Sequence, residues 1–386
     1  MIHAPHLDLF RRLTQELDQP PAADAGIVML STDRYLDPAR LVAEKQKLFG
    51  GLPLLVAHGS ELPPGHVMAF DRLDLPVILT RGKEGQVRAF VNACRHRGTR
   101  LVSGEAPKSA NRIICPYHAW SYRLSGELAS VPLEAEAFPG LEKSDYGLME
   151  LPAEERGGFI WLMADREGRF DLDDYVGDLA GDFEALGVAG HVVFAKRVER
   201  VPANWKLISD AFHESYHVKR LHSASLAGFF KDSIVVDDWP GLHARFAIAR
   251  TDLTAVSEPA DAAELRTLVT FAYTVFPNTT LIVSPDYINV LTFYPVSAGE
   301  TVAVDTMLIP EPPANEAERE HWQRSSDLIH DQVFAGEDFR AAALCHEGIA
   351  AGITELTIGH HERGILEFHR RIDEALGGEA PAHRSA

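Results

Sequence analysis

The chain has 386 residues, 46% of them hydrophobic, enough for two or three domains around a large buried core. A formal charge of −19 and a pI near 5.4 favour a soluble protein and argue against nucleic acid as a partner. The only cysteines, Cys94, Cys115 and Cys345, make no disulfide framework. No apolar run approaches a membrane span, so no membrane contact is expected. The start, MIHAPHLDLFRRLTQELDQ, is charged throughout and has no apolar signal core, and a reducing cytoplasm is the expected setting.

His6 to Leu17 reads as a helix, and Asp37-Pro38 opens a second one through Leu48, with Pro at a first helical position. Gly50-Gly51 breaks that pattern. From Leu52 to Trp161 the chain reads as short strands and turns. Val67–Phe70, Pro76–Thr80 and Val87–Val91 are strand-like, with Lys83-Glu84-Gly85 as a hairpin turn. Arg112–Cys115 and Trp120–Arg123 flank a loop, Ser125-Gly126 turns the chain, and Gly158–Met163 is an apolar closing strand. Asp165–Gly190 is acidic and helix-prone and reads as a connection. Val192–Val201 opens a second set of strands, and Asn204 is placed to cap a helix from Trp205. Ala244–Ala249, Leu268–Val275, Thr280–Ser284, Ile288–Tyr294 and Thr301–Ile309 alternate and are joined by hairpin-length turns at Pro277-Asn278 and Pro285-Asp286. That pattern predicts an antiparallel sheet. A helical run, Glu316–Phe334, and a last helix, Ile358–Leu376, follow, and the tail after Gly377 is expected to be loose.

Two short ligand pairs stand at the ends of CRHRGTRLVSGEAPKSANRIICPYHAW: Cys94-Arg95-His96 and Cys115-Pro116-Tyr117-His118. Two thiolates with two imidazoles suit a tetrahedral zinc or a two-iron cluster with sulfur on one iron and histidine on the other. A common zinc finger puts its cysteines together and then its histidines. Here each loop carries one of each, so each loop can reach both irons. Gly98 and Pro116 suit tight turns beside the ligands. The stretch resembles the Rieske motif, Cys-x-His…Cys-x-x-His, including Arg97-Gly98 and Tyr117-His118-x-Trp120. The gap between His96 and Cys115 is slightly long for that family, and the excess is placed in the polar Glu105–Asn111 loop.

Further on, NWKLISDAFHESYHVKRLH sets Asp210, His213, Glu214, His217 and His222 close together, with His243 downstream. Two registers are open on spacing. His213 and His217, four apart, would share a helical face. His217 and His222, five apart, need a bulge or a helix end between them. Rieske oxygenases place their iron histidines in an acid-x-x-His-x4-His pattern, and Glu214-Ser215-Tyr216-His217-x4-His222 is similar to it, with Asn204-Trp205-Lys206 upstream. The resemblance therefore implies His217 and His222 as iron ligands and Glu214 as an acid that bridges cluster and iron. Asp210 remains the acid of the shorter register. The third ligand is expected in FAGEDFRAAALCHEG, at Asp338 of Glu337-Asp338, with Asp331 as competitor; Cys345 and His346 read as helix residues.

Covering about Tyr35 to Leu376, the chain resembles the catalytic alpha subunit of a Rieske non-heme iron oxygenase. The resemblance implies an α+β fold: an all-β Rieske [2Fe-2S] domain plus a helix-grip (START-like) antiparallel-sheet catalytic domain. The expected division is 1–48 as a helical segment packing on the catalytic domain, 49–165 as Rieske domain and 166–386 as catalytic domain. It implies a [2Fe-2S] cluster, a mononuclear Fe(II), O2 and a small-molecule substrate, apolar or aromatic by default. Oxidative N- or O-demethylation, including of quaternary ammonium cations, is the alternative. Another class of reading is an electron-transfer or ligand-binding protein without mononuclear iron. A homotrimer is expected, in which one subunit's cluster serves the neighbour's iron. The chain carries no Gly-x-Gly-x-x-Gly after a strand and no Walker-type loop, so electrons are expected from a separate ferredoxin or flavin reductase using NAD(P)H. Phe229, Phe230, Trp239, Phe271, Tyr273 and Phe293 are the aromatic residues expected near the substrate pocket. Between Arg81 and Arg123, nine basic residues (Arg81, Lys83, Arg88, Arg95, Arg97, Arg100, Lys108, Arg112 and Arg123) face only Glu84 and Glu105, and an acidic electron donor is expected to dock there.

Overall fold

The computed structural model describes residues 2–19, 26–254 and 258–377; the expectation for the tail after Gly377 falls outside them. The chain divides into two units, Phe49–Tyr175 and Met1–Leu48 with Val176–Ala386. Residues 166–175 thus go with the smaller unit. There Asp173 pairs with Arg156, and Tyr175 packs edge-on against Trp161. Among the described residues no helix is long and apolar enough to cross a membrane.

The smaller unit is built from short antiparallel strands. His66–Phe70, Val77–Arg81 and Val87–Val91 form the middle of a five-stranded sheet. The hairpin predicted at Lys83-Glu84-Gly85 is present, with Gly85 at φ 94°, a conformation that favours glycine. Leu54–His58, Ala153–Arg156 and Phe159–Leu162 make a second sheet. Ile113–Ile114, Ser121–Tyr122 and Leu128–Ser130 make a third, which carries the second ligand loop. Within the Glu105–Asn111 excess, Lys108–Ser109 adds a short strand beside His66–Val67.

The larger unit is organised on a seven-stranded antiparallel sheet. Its strands are β1 (Val192–Val201), β2 (Phe230–Asp238), β3 (Ala244–Arg250), β4 (Val269–Val275), β5 (Thr279–Val283), β6 (Ile288–Ser297) and β7 (Glu300–Ile309), in the spatial order β1-β7-β6-β5-β4-β3-β2. The interior strand β4 is buried at every position, as expected for a strand covered on both faces. The edge strand β2 escaped the sequence reading. Lys231, Asp232, Asp237 and Asp238 make FKDSIVVDD look polar, and its pairing with β3 slips between Phe230 and Val235, where Ser233 has φ 55°. Charges and a bulge are how edge strands avoid further pairing.

The first helix runs Ala4–Asp18. After a short helix, Asp33–Leu36, the helix predicted from Asp37-Pro38 starts at Pro38, where Asp37 accepts the Ala39 N–H, and it continues past Glu44 with wider winding to Gly50. The connection predicted over Asp165–Gly190 contains helices Leu172–Val176 and Leu179–Ala185. Asn204 caps Trp205–Asp210 through Lys206 N–H. Two expectations change. The run predicted to end at Phe334 continues as one helical path: Glu316–Asp327, then π-type winding over Leu328–Phe339, then Arg340–Ala350. The last helix starts at Arg363, because Glu355–Ile358 is a strand paired with Val28–Ser31, a partner far away in the chain.

Candidate metal centres

Each cysteine-histidine pair sits on a loop tied down by backbone bonds. Gly98 N–H donates to Cys94 O and Cys94 N–H to Thr99 O, both at 2.8 Å, and Gly98 takes φ 71°. The Asn92 side chain accepts from Leu101 and Val102 N–H and donates to Val102 O, closing the base of this loop. In the second loop Cys115 N–H donates to Trp120 O and Ala119 N–H to Cys115 O. Cys94 and Cys115 are both buried, and burial pushes the Cys94 thiol pKa up, with the Cys115 thiol adding to it. The His96 and His118 rings lie 4.7 Å apart. His96 stacks on Trp120 at 4.9 Å, with Phe138 at its edge, and Tyr117 stacks on His118. The Nδ1 atoms of His96 and His118 are buried without a hydrogen-bond partner. Two adjoining thiols and two imidazoles with unused Nδ1 lone pairs fit a [2Fe-2S] cluster held by sulfur on one iron and nitrogen on the other.

Sequence reasoning missed Tyr122. Its phenol lies 3.2 Å from Cys94 Sγ and accepts Arg95 N–H at 3.0 Å. The available signal was the short strand Ser121–Tyr122 directly after the ligand loop, which turns Tyr122 inward.

The second centre lies where a helix breaks. Trp205–Asp210 is α-helical, Ala211–His213 tightens, and Glu214 is extended. A one-turn helix, Val218–Leu221, follows, with His217 at its start and His222 at its end. That helix end is what the five-residue spacing required. His217, His222 and Asp338 converge, with one ligand atom from each lying within 4.8 Å of the others. Asp338 Oδ1 is 3.7 Å from His217 Nε2 and 3.3 Å from His222 Nε2, and it is buried without a hydrogen bond. His217 Nδ1–H meets Glu214 Oε1 at 2.5 Å, and His222 Nδ1–H meets Glu337 Oε2 at 2.7 Å. Burial works to lower the His222 pKa, but its polar contacts with Asp338 and then Glu337 outweigh it and raise the value. Two Nε2 lone pairs and a carboxylate oxygen with nothing else to bind fit a non-heme ferrous ion with open positions.

The remaining candidates lie elsewhere. His213 donates its Nδ1–H to Ser209 O, meets the Thr274 hydroxyl through Nε2 and stacks on Phe368 at 4.2 Å, and burial lowers its pKa to about 4. Asp210 is bound by the Tyr35 hydroxyl at 2.7 Å and by His369 Nε2 at 3.1 Å. The shorter register is therefore not assembled, because both its leading residues are used inside the core. His243 accepts Phe276 N–H, Asp331 is exposed, and Cys345 and His346 lie on the helix. Of the expected pocket aromatics, Phe271 and Tyr273 pack on His6, Trp239 lies over the Arg371 guanidinium, and Phe229 and Phe230 lie by Arg250. Phe293 contacts Phe212 and Phe339, next to Asp338.

The basic stretch is partly neutralised within its own unit. Arg81 is buried and paired with Glu155, Arg88 with Glu150, Arg100 with Asp71 and Arg123 with Glu127. Lys83, Arg95, Arg97, Lys108 and Arg112 stay exposed.

Comparison with known proteins covers both units. The family model for the Rieske [2Fe-2S] domain matches residues 53–144, and that for the ring hydroxylating alpha subunit (catalytic domain) matches residues 183–378. The chain is 34% identical to the biphenyl 2,3-dioxygenase alpha subunit of Rhodococcus jostii over 52% of its own length, and spans only about half of that relative, 46%. It is 29% identical to the carnitine monooxygenase oxygenase subunit of Escherichia coli K12, over 89% of this chain and 92% of the relative. A quaternary ammonium Rieske monooxygenase structure with L-carnitine superposes with a TM-score of 0.76 at 23% identity, covering 92% of this chain and 96% of that one. With both family models matched in this order, the chain belongs to the Rieske-type ring-hydroxylating oxygenases, as an alpha (catalytic) subunit.

Proposed function

We propose that this chain is the terminal oxygenase of a multicomponent system that inserts oxygen from O2 into a small organic substrate, using electrons from a separate protein. The carrying observation is the convergence of Asp338 with His217 and His222, each of whose imidazoles is anchored by a carboxylate at Nδ1. Bound at these residues, ferrous iron would supply open positions for O2 next to substrate, and a cluster on Cys94, His96, Cys115 and His118 would supply single electrons. The chain's own residues do the positioning. Glu214 and Glu337 accept hydrogen bonds from Nδ1–H of His217 and His222, so both rings present Nε2 to the same point. Asp338, buried at 3% exposure, balances charge there in a setting where water screens little.

Two substrate classes are set against each other. An apolar or aromatic substrate is supported by the Phe212, Phe293, Phe334 and Phe339 cluster packed beside Asp338. A quaternary ammonium substrate, oxidised at a carbon next to nitrogen, is supported by the end-to-end match to a carnitine monooxygenase subunit, where the aromatic relative spans half its length. We further propose a homotrimer in the cytoplasm, with a ferredoxin or flavin reductase as donor. Product analysis with a surrogate reductase decides the substrate class: ring diols or phenols from biphenyl and naphthalene, against cleaved amine and aldehyde from carnitine and betaines. No turnover of either class, with both metals loaded, would refute the proposal.

A further inference from the structure

The two ring nitrogens of His222 face consecutive residues of one helix. Its Nε2 faces Asp338 Oδ1 at 3.3 Å, and its Nδ1 meets Glu337 Oε2 at 2.7 Å. The two histidines of the site are anchored differently. The Nδ1 partner of His217 is Glu214, three residues earlier in the same loop, and the His217 side chain is 21% exposed. His222 is 4% exposed, and its Nδ1 partner comes from the distant helix.

The support around Glu337 is built on both sides. The same Oε2 that meets His222 accepts the Ser225 hydroxyl at 2.6 Å. Ser225 N–H and Ala227 N–H both donate to His222 O at 3.0 Å, so the turn after His222 is closed on itself. On the helix side, π-type winding runs from Leu328 to Phe339, a geometry that recurs at functional sites. Gly336, just before Glu337, packs so closely that an added Cβ would lie 2.9 Å from Asp331 O.

A neutral imidazole carries one N–H. A carboxylate can only accept, so the Glu337 contact keeps that proton on Nδ1 and leaves the Nε2 lone pair aimed at the point shared with His217 and Asp338. The Ser225 hydroxyl fixes the carboxylate in turn. We propose that Glu337 is a positioning residue that sets the tautomer and ring orientation of His222 for ferrous iron, making Glu337-Asp338 a two-residue clamp in which Asp338 supplies the ligand and Glu337 aligns its neighbour. This rests on the reading of His217, His222 and Asp338 as the iron site.

The test uses the full chain with its cluster, titrated anaerobically with Fe(II) and, as a spectroscopic probe, Co(II). Wild type is expected to take up one ion beyond the cluster, and Asp338→Ala none. Glu337→Gln and Glu337→Ala should bind roughly ten- to a hundredfold more weakly, with shifted cobalt visible bands, an unchanged cluster spectrum and near-wild-type melting. Ser225→Ala should weaken binding less, and it carries the test with Glu337→Gln should Glu337→Ala fail to fold. Wild-type affinity and cobalt bands in the Glu337 variants would overturn the proposal, and so would lowered melting with unchanged affinity, which marks a structural role alone. Failure of wild type itself to bind a further ion would overturn the site reading instead.

Discussion

The Tyr122 phenol lies 3.2 Å from Cys94 Sγ while accepting the Arg95 N–H, so its own proton is directed at the sulfur. Hydrogen bonds to cluster sulfurs stabilise the reduced, more negative state and raise the potential. Tyr122→Phe removes that proton and keeps the ring. One such bond is worth about 1 kcal/mol, or roughly 40 mV for a one-electron couple. A redox titration should show a fall of that order with the cluster spectrum retained, and an unchanged potential would refute the bond.

Cys94→Ala and His118→Ala should abolish the cluster spectrum. His217→Ala, His222→Ala and Asp338→Ala should lose mononuclear iron and keep the cluster. Glu214→Gln should keep both metals and slow product formation severely, because the proposed bridge from cluster to iron is broken rather than either site. Metal analysis beside turnover separates these outcomes.

His213 carries a pH prediction. Burial lowers its pKa to about 4 in the fold, against 6.5 for the free side chain. Between those values the unfolded chain binds a proton that the folded chain refuses, so stability falls as pH drops from 6.5 towards 4. The loss is on the order of 3 kcal/mol. His213→Gln should keep both metals and melt lower at neutral pH. It should also show a flatter acid limb in denaturant unfolding across that window; a parallel limb would exclude His213 as its source.

The exposed cations beside the ligand loops predict how electrons enter. With Arg81, Arg88, Arg100 and Arg123 already paired, Lys83, Arg95, Arg97, Lys108 and Arg112 remain to attract an acidic donor. Cluster reduction by that donor should slow as salt rises. It should also slow in Lys83→Glu and Lys108→Glu, with little change in the cluster spectrum. Stopped-flow rates independent of both would rule out docking on this surface.

Packing decides which cations are free, and this is where local reading reached its limit. Arg81 reads as one more surface charge in sequence. In the fold it is buried, fixed by Glu155 and by the carbonyls of Leu62, Gly59 and Gly85. Strand β2 and the strand Glu355–Ile358 escaped for a related reason: an edge strand's pattern is masked by charges and a bulge, and the other needs a partner, Val28–Ser31, from the opposite end of the chain.

Spacing left two histidine registers open, and the family resemblance picked His217 and His222; by itself the sequence determined the two cluster loops, the cap at Asn204 and the antiparallel sheet. Each of these depends on residues a few positions apart, where turn geometry, helical spacing and strand alternation act directly on neighbours. Only the tertiary structure decided that Asp338 and not Asp331 faces those histidines, that Asp210 belongs to Tyr35 and His369, and that Glu337 holds His222. Those choices depend on how far a helix winds before it meets the sheet and the broken helix beside it. The π-type winding over Leu328–Phe339 redirects every side chain beyond it, and no local pattern announces that change.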